Sequence, residues 1–160
     1  MGGRRASVAL AVVVATLALG CSGDSGPTRK DGRITKAGSL SAAKLKPGDC
    51  MLAPAKVAAE VTDVRAVPCS DPHPLEAFSL VTYDKGDAYP GDKELGRYAD
   101  GKCLERYADY VGIDYADSEL FYTYLLPSAR SWQDSKDRTI VCIVTTTGEQ
   151  LTKSVQGSQR

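Results

Sequence analysis

The chain has a single histidine, His73, held between Pro72 and Pro74 and three residues before Glu76. A histidine oriented by a carboxylate is the pattern of a general base or a metal ligand. It would suit a small envelope hydrolase or a metal-dependent enzyme using His73 and Glu76. Such chemistry needs a nucleophile or further ligands, and the sequence nominates none. Ser41-Ala-Ala-Lys44 matches the S-x-x-K pattern of penicillin-binding enzymes but has no S-D-N or K-T-G partner. Asp114, Asp117 and Glu119 lack the glycine and the alternating carboxylates of a calcium loop. There is no G-x-S-x-G, phosphate loop or dinucleotide fingerprint. With one histidine, a structural zinc site would have to draw its other ligands from cysteine. The expected role of His73 and Glu76 is therefore a clamp, bonding backbone groups that the two prolines leave unpaired. No catalytic residue, metal or cofactor is expected, and the chain reads as a non-enzyme.

The cysteines carry the second signal. Arg4 and Arg5 precede an uncharged apolar run, Ala6 to Leu19, and Ala18 and Gly20 lead into Cys21. The run is too short to cross a bilayer as a helix and reads as an export signal over residues 1–20. Cys21 is then the expected first residue of the mature chain and its lipid (palmitate-type) acceptor. Five cysteines are an odd number for an exported protein. Lipidation of Cys21 leaves Cys50, Cys69, Cys103 and Cys142 for two disulfides in an oxidising compartment. Without the leader, 18 basic face 20 acidic side chains, a net charge of −2. That balance gives no reason to expect nucleic acid or an anionic lipid surface as partner.

Eight tyrosines and Trp132 form a third candidate set. Tyr98 and Tyr107 fall on one helical stripe and Tyr122 and Tyr124 on one strand face, as core packing requires. Trp132, Tyr83, Tyr89, Tyr110 and Tyr115 are the expected surface aromatics, able to stack on a cell-wall glycan. Arg138 is expected to anchor Trp132 by stacking or to pair with a carboxylate.

The elements that must position these residues follow from periodicity. Residues 21–43 are rich in Gly, Ser and charge and read as a flexible tether spanning about 25 Å. The folded domain is expected over residues 44–158. Short strands are expected at Cys50–Leu52 and Val61–Cys69, and a strong one at Leu75–Tyr83, with Phe78, Leu80 and Thr82 on one face. Asp92 is a plausible N-cap for a helix from Lys93 to about Tyr110. Its stripe is Leu95, Tyr98, Ala99, Cys103, Leu104, Tyr107 and Val111, and Gly112 is its stop. Further strands are expected at Leu120–Leu126 and Arg138–Thr146, with a polar loop over residues 128–137 and a last short strand near Leu151. Several strands with one dominant helix give an α+β fold, a small, mostly antiparallel sheet with the helix on one face. Cys50 begins one strand and Cys69 ends the next, which brings them together in an antiparallel pair. Cys103 on the helix and Cys142 in a strand would staple helix to sheet.

Four stretches in order carry a resemblance: Leu45-Lys-Pro-Gly-Asp-Cys50, Val67-Pro-Cys-Ser-Asp-Pro-His-Pro-Leu-Glu76, Tyr89-Pro-Gly-Asp92 before a helix holding Cys103, and Trp132 through Asp137-Arg138 to Cys142. Together they resemble the septum formation domain of actinobacterial cell-envelope proteins. Where such domains place glycine before the Asp-Arg pair, this chain has Lys136, and the Trp132–Asp137 spacing is longer. The resemblance implies an exported, membrane-attached module linked with division septa and implies no defined reaction. The expected function is a non-enzymatic lipoprotein on the extracytoplasmic face of the cell membrane. Its expected partners are an envelope or division protein or a wall glycan, met through the Pro72–Glu76 turn and the Trp132 loop.

Overall fold

The computed structural model describes residues 26–54 and 60–160. The proposed signal peptide and Cys21 lie outside the described residues. Six antiparallel strands form the main sheet: β3 (Gly38–Ser41), β4 (Cys50–Met51), β5 (Asp63–Val67), β6 (Leu75–Thr82), β7 (Phe121–Leu125) and β8 (Thr139–Thr145), in the order β3-β5-β4-β6-β8-β7. Helix α1 (Asp92–Val111) packs on one face. A separate hairpin, β1 (Thr28–Lys30) and β2 (Arg33–Lys36), contributes Ile34 to the core on the other face. The fold is α+β, as the sequence predicts.

The hairpin corrects the tether reading. Residues 28–41 are three strands, and β3 pairs with β5 along Gly38↔Ala66 to Ser41↔Asp63. The turn is Asp31-Gly32, with φ of 51° and 80°. Two positive φ values are what the tight turn of a two-residue hairpin needs, and Asp-Gly supplies them. Arg29 then forks onto Asp49, each nitrogen 2.5 Å from a carboxylate oxygen. Asp49 is buried and also accepts from the backbone N–H of Lys46 at 2.8 Å. This pairing fastens the hairpin to the Pro47-Gly48 turn, and Asp49 raises the Arg29 pKa by its hydrogen bond.

The strong strand β6 is bulged between Ala77 and Ser79. The extra residue flips the alternation. Phe78 faces α1, while Leu80, opposite Val141, turns to the other face. The expected shared face of Phe78 and Leu80 is therefore wrong. Helix α1 buries Leu95, Tyr98, Ala99, Cys103, Tyr107, Tyr110 and Val111. Leu104, expected on this stripe, is exposed, and Tyr110 takes its share of the apolar face instead. Gly91, not Asp92, is the N-cap, and the Asp92 carboxylate accepts from the Tyr89 hydroxyl. Gly112 ends the helix in the left-handed region with φ 89°.

Both expected disulfides are present. Cys50–Cys69 bridges 5.2 Å between Cα atoms beside the β4–β5 pair. Cys103–Cys142 bridges 5.5 Å and staples α1 to β8. Loop-closure entropy gives about 3 and about 4 kcal/mol for loops of this size.

Candidate functional site

The Pro72–Glu76 turn delivers the chain into β6 and meets the C-terminal segment. His73 is 0% exposed, and its backbone N–H and C=O pair with Leu151 at 2.9 and 2.8 Å. This antiparallel bridge stands where the sequence predicts a short last strand. The ring Nδ1 donates to the Asp71 carbonyl at 2.7 Å, while Nε2 is buried with no hydrogen-bond partner. Glu76 is also fully buried. Its Oε1 accepts from the Tyr110 hydroxyl at 2.6 Å and from Ser154 at 2.5 Å. Its Oε2 accepts from the Val155 N–H at 2.8 Å. Burial raises the Tyr110 pKa first, and the bond to Glu76 raises it further.

His73 and Glu76 do not bond each other; each is held by a different set of groups. Their bonds lace the last ten residues onto β6 and the end of α1. Gly157 and Gln159 continue the lacing by donating to the Tyr110 and Val111 carbonyls at 2.8 and 2.9 Å. The sequence does not predict Tyr110, Ser154 or Val155 as partners of this turn. Tyr110 sits three residues after Tyr107 and next to Val111, so helical spacing alone marks it as inward. Nothing in the sequence marks Ser154 or Val155.

Trp132 is 2% exposed and belongs to the core. The expected polar loop contains a short helix, α2 (Ala129–Asp134), capped by Ser128, whose Oγ accepts from the Ser131 N–H at 3.0 Å. Trp132 packs edge-on against Tyr83 and Tyr89 and donates from Nε1 to the Asp87 carbonyl at 2.7 Å. Arg138 stacks 3.7 Å from the indole centroid, as expected, and donates to the carbonyls of Trp132, Asp137 and Asp87. Tyr83 and Tyr110 are buried too, so three of the five expected surface aromatics are structural. The Tyr89 hydroxyl donates to the Asp92 carboxylate at the helix entry, where burial first and then this bond push the Tyr89 pKa up to about 12. Lys136 has φ 54°, a left-handed conformation that glycine accommodates without cost.

The outer side of α2 faces an open groove of about 230 Å³ on the sheet face away from α1. Leu80, Leu125 and Val141 form its floor, and Ser128, Ser131 and Ser135 line one wall. Ser131 lies within α2 and Ser128 and Ser135 flank it as N-cap and C-cap; all three reach the groove, while Trp132 is buried in the core. Glu60 stands at the rim and accepts from Ser128 Oγ at 2.6 Å. An apolar floor beside a row of hydroxyls suits a ligand with one apolar and one hydrogen-bonding side.

The sequence profile described as septum formation matches residues 28–159, nearly all of the described fold. The chain belongs to the septum formation family. The match begins at the first residue of β1, so the family unit includes the hairpin that composition alone reads as tether. No curated protein and no solved structure gives a significant match. In this septum formation domain, among the described residues, no helix is long and apolar enough to cross a membrane.

Proposed function

We propose that the protein is a non-enzymatic, lipid-anchored module on the extracytoplasmic face of the cell membrane. It serves septum formation by binding a division protein or a cell-wall glycan in the groove beside α2. Membership of the septum formation family supports the process. The two disulfides agree with an oxidising compartment, and the sequence around Cys21 supports the anchor. The observation that carries the binding role is the groove itself. Leu80 lies exposed on its floor, and Ser131 of α2 with the flanking Ser128 and Ser135 lines its wall, while Trp132 is committed to the core. The contact surface is thus the outer side of the Trp132 segment rather than the indole. His73 and Glu76 are both fully buried and committed to separate partners, which supports a structural role for the pair.

Two variants expressed in the native host as fluorescent fusions test this reading. Cys21→Ser should move the protein from the membrane to the soluble extracytoplasmic fraction. Leu80→Glu, with the anchor intact, should stay folded and membrane-bound yet lose septal enrichment and the partner recovered by cross-linking from position 131. Septal enrichment and cross-linking equal to wild type in Leu80→Glu would overturn the groove. Membrane retention of Cys21→Ser would overturn the anchor.

A further inference from the structure

The ring of His73, whose Nε2 is orphaned, sits beside the Cys50–Cys69 disulfide. A ring nitrogen of His73 and the two sulfurs all lie within 4.8 Å of one another. Nδ1 faces a carbonyl oxygen, which has only lone pairs, so Nδ1 carries the proton. In the neutral ring Nε2 then carries a lone pair, buried and without a donor. Buried polar atoms almost always find partners, so an unpaired one calls for a cause. The sulfurs beside the ring, joined as a disulfide, have no proton to give it.

We propose that Cys50, Cys69 and His73 form a Cys₂His site for a zinc-class divalent cation, closed while the disulfide is intact and opened when a dithiol reduces it. In the exchange, the dithiol is oxidised to its own disulfide and the Cys50–Cys69 bond is cleaved to two thiols. The cation then binds both sulfurs as thiolates with Nε2, and the two thiol protons leave to solvent. Two thiolates balance the double positive charge, and the histidine ligand is already in its metal-binding tautomer. The Asp71 carbonyl holds the opposite nitrogen, the outer partner that metal-bound histidines generally have. Three protein ligands leave the fourth position of a tetrahedral zinc ion to water.

Access is present on one side. Cys69 is half-buried and lines a cleft of about 840 Å³ between the β1–β2 hairpin and the Pro68–Asp71 turn. By contrast, Cys103 and Cys142 are both fully buried. A reductant therefore reaches Cys50–Cys69 first, and the second bridge continues to hold α1 on the sheet. The inference is independent of the groove, and in the oxidising compartment of the proposed function the site stays closed until a dithiol acts on it.

The test is cobalt(II) binding, followed by its visible and near-ultraviolet absorption, to the folded chain with and without mild dithiol treatment. Alkylation and mass mapping identify the cysteines reduced, and near-ultraviolet circular dichroism confirms the fold. The oxidised protein should take up no cobalt. The reduced protein should bind one equivalent with thiolate charge-transfer bands and the strong visible absorption of a tetrahedral ion, and zinc should displace it. His73→Asn keeps an amide N–H for the Asp71 carbonyl and removes the ligand nitrogen. It should weaken binding at least tenfold, about 1.4 kcal/mol, and Cys50→Ser/Cys69→Ser should abolish it. Failure of the reduced protein to bind one equivalent overturns the site. So does equal affinity in His73→Asn, binding traced to Cys103 and Cys142, or binding seen only after the fold is lost.

Discussion

Glu76 is the polar group on which the C-terminal segment depends, and its replacement has a calculable cost. In Glu76→Ala the Tyr110 hydroxyl and the Val155 N–H lose their acceptor while remaining buried. Ser154 is half-exposed and turns to water, so it adds little. Two buried donors left unpaired cost about 1–3 kcal/mol each, or about 2–6 kcal/mol together. That is a large part of the roughly 5–15 kcal/mol that holds a domain folded. Glu76→Gln costs less. Its carbonyl can keep the Val155 N–H while its amide donates to the two hydroxyl oxygens, so about 1–3 kcal/mol of charge assistance is lost. Urea unfolding measures both values, with an unchanged slope showing that the unfolded state is the same. Hydrogen exchange then locates the effect: amides of Leu151, Val155, Gly157 and Gln159 should lose protection before those of β6 and β8. Losses below about 0.5 kcal/mol in both variants, with the tail still protected, would refute the reasoning. A Glu76→Gln protein of wild-type stability that fails in cells would point to chemistry instead.

Three further outcomes are expected. The Tyr110 pKa is raised in the folded state. Its contribution is therefore fully present below the unfolded value of about 10 and is lost as pH rises beyond it, by about 1.4 kcal/mol per pH unit. Tyr110→Phe should be less stable at neutral pH yet show a shallower alkaline decline, by one proton in a stability–pH plot. Lys136→Gly should raise stability by up to about 1 kcal/mol in thermal melts, because relief at a positive φ exceeds the entropy glycine adds to the unfolded chain; a loss would show that Lys136 makes a compensating contact. Arg138→Lys should cost about 1–2 kcal/mol and shift Trp132 fluorescence, since an ammonium cannot stack on the indole and fork to three carbonyls at once.

The elements set by strong local periodicity are legible in the sequence: β6, α1, β7, β8 and both disulfides fall within a residue or two of expectation. The errors share a physical origin in information that composition does not carry. Residues 28–41 are polar because they form a thin layer whose single inward anchors, Ile34 and Leu40, suffice when the rest of the second core is supplied by Leu45, β4, β5, β6 and β8. Their one local signal is Asp31-Gly32, a hairpin turn with short flanking strands. The bulge at Phe78 leaves little mark in the alternation, because Ala77, Phe78, Leu80 and Val81 put apolar residues on both faces. Lys136 shows the converse, a strained backbone position visible only against the glycine that the family resemblance expects there.

The His73–Glu76 pair shows why residue type and spacing alone misdirect. A histidine and a carboxylate three apart look like a catalytic couple, but in a strand-bound turn the two side chains are committed to separate neighbours. Glu76 turns toward α1 and finds Tyr110 and the tail, on the same face as Phe78. His73 precedes the strand, so its ring lies against Cys50 and Cys69 rather than beside Glu76. The carboxylate is thereby satisfied three times over, and a satisfied carboxylate holds structure. The imidazole is satisfied once, and its ring lies beside the more accessible of the two disulfides among the described residues. Any chemistry His73 performs must therefore run toward the disulfide and away from Glu76. It follows that Glu76 variants should alter stability without changing cobalt uptake, and His73→Asn the reverse.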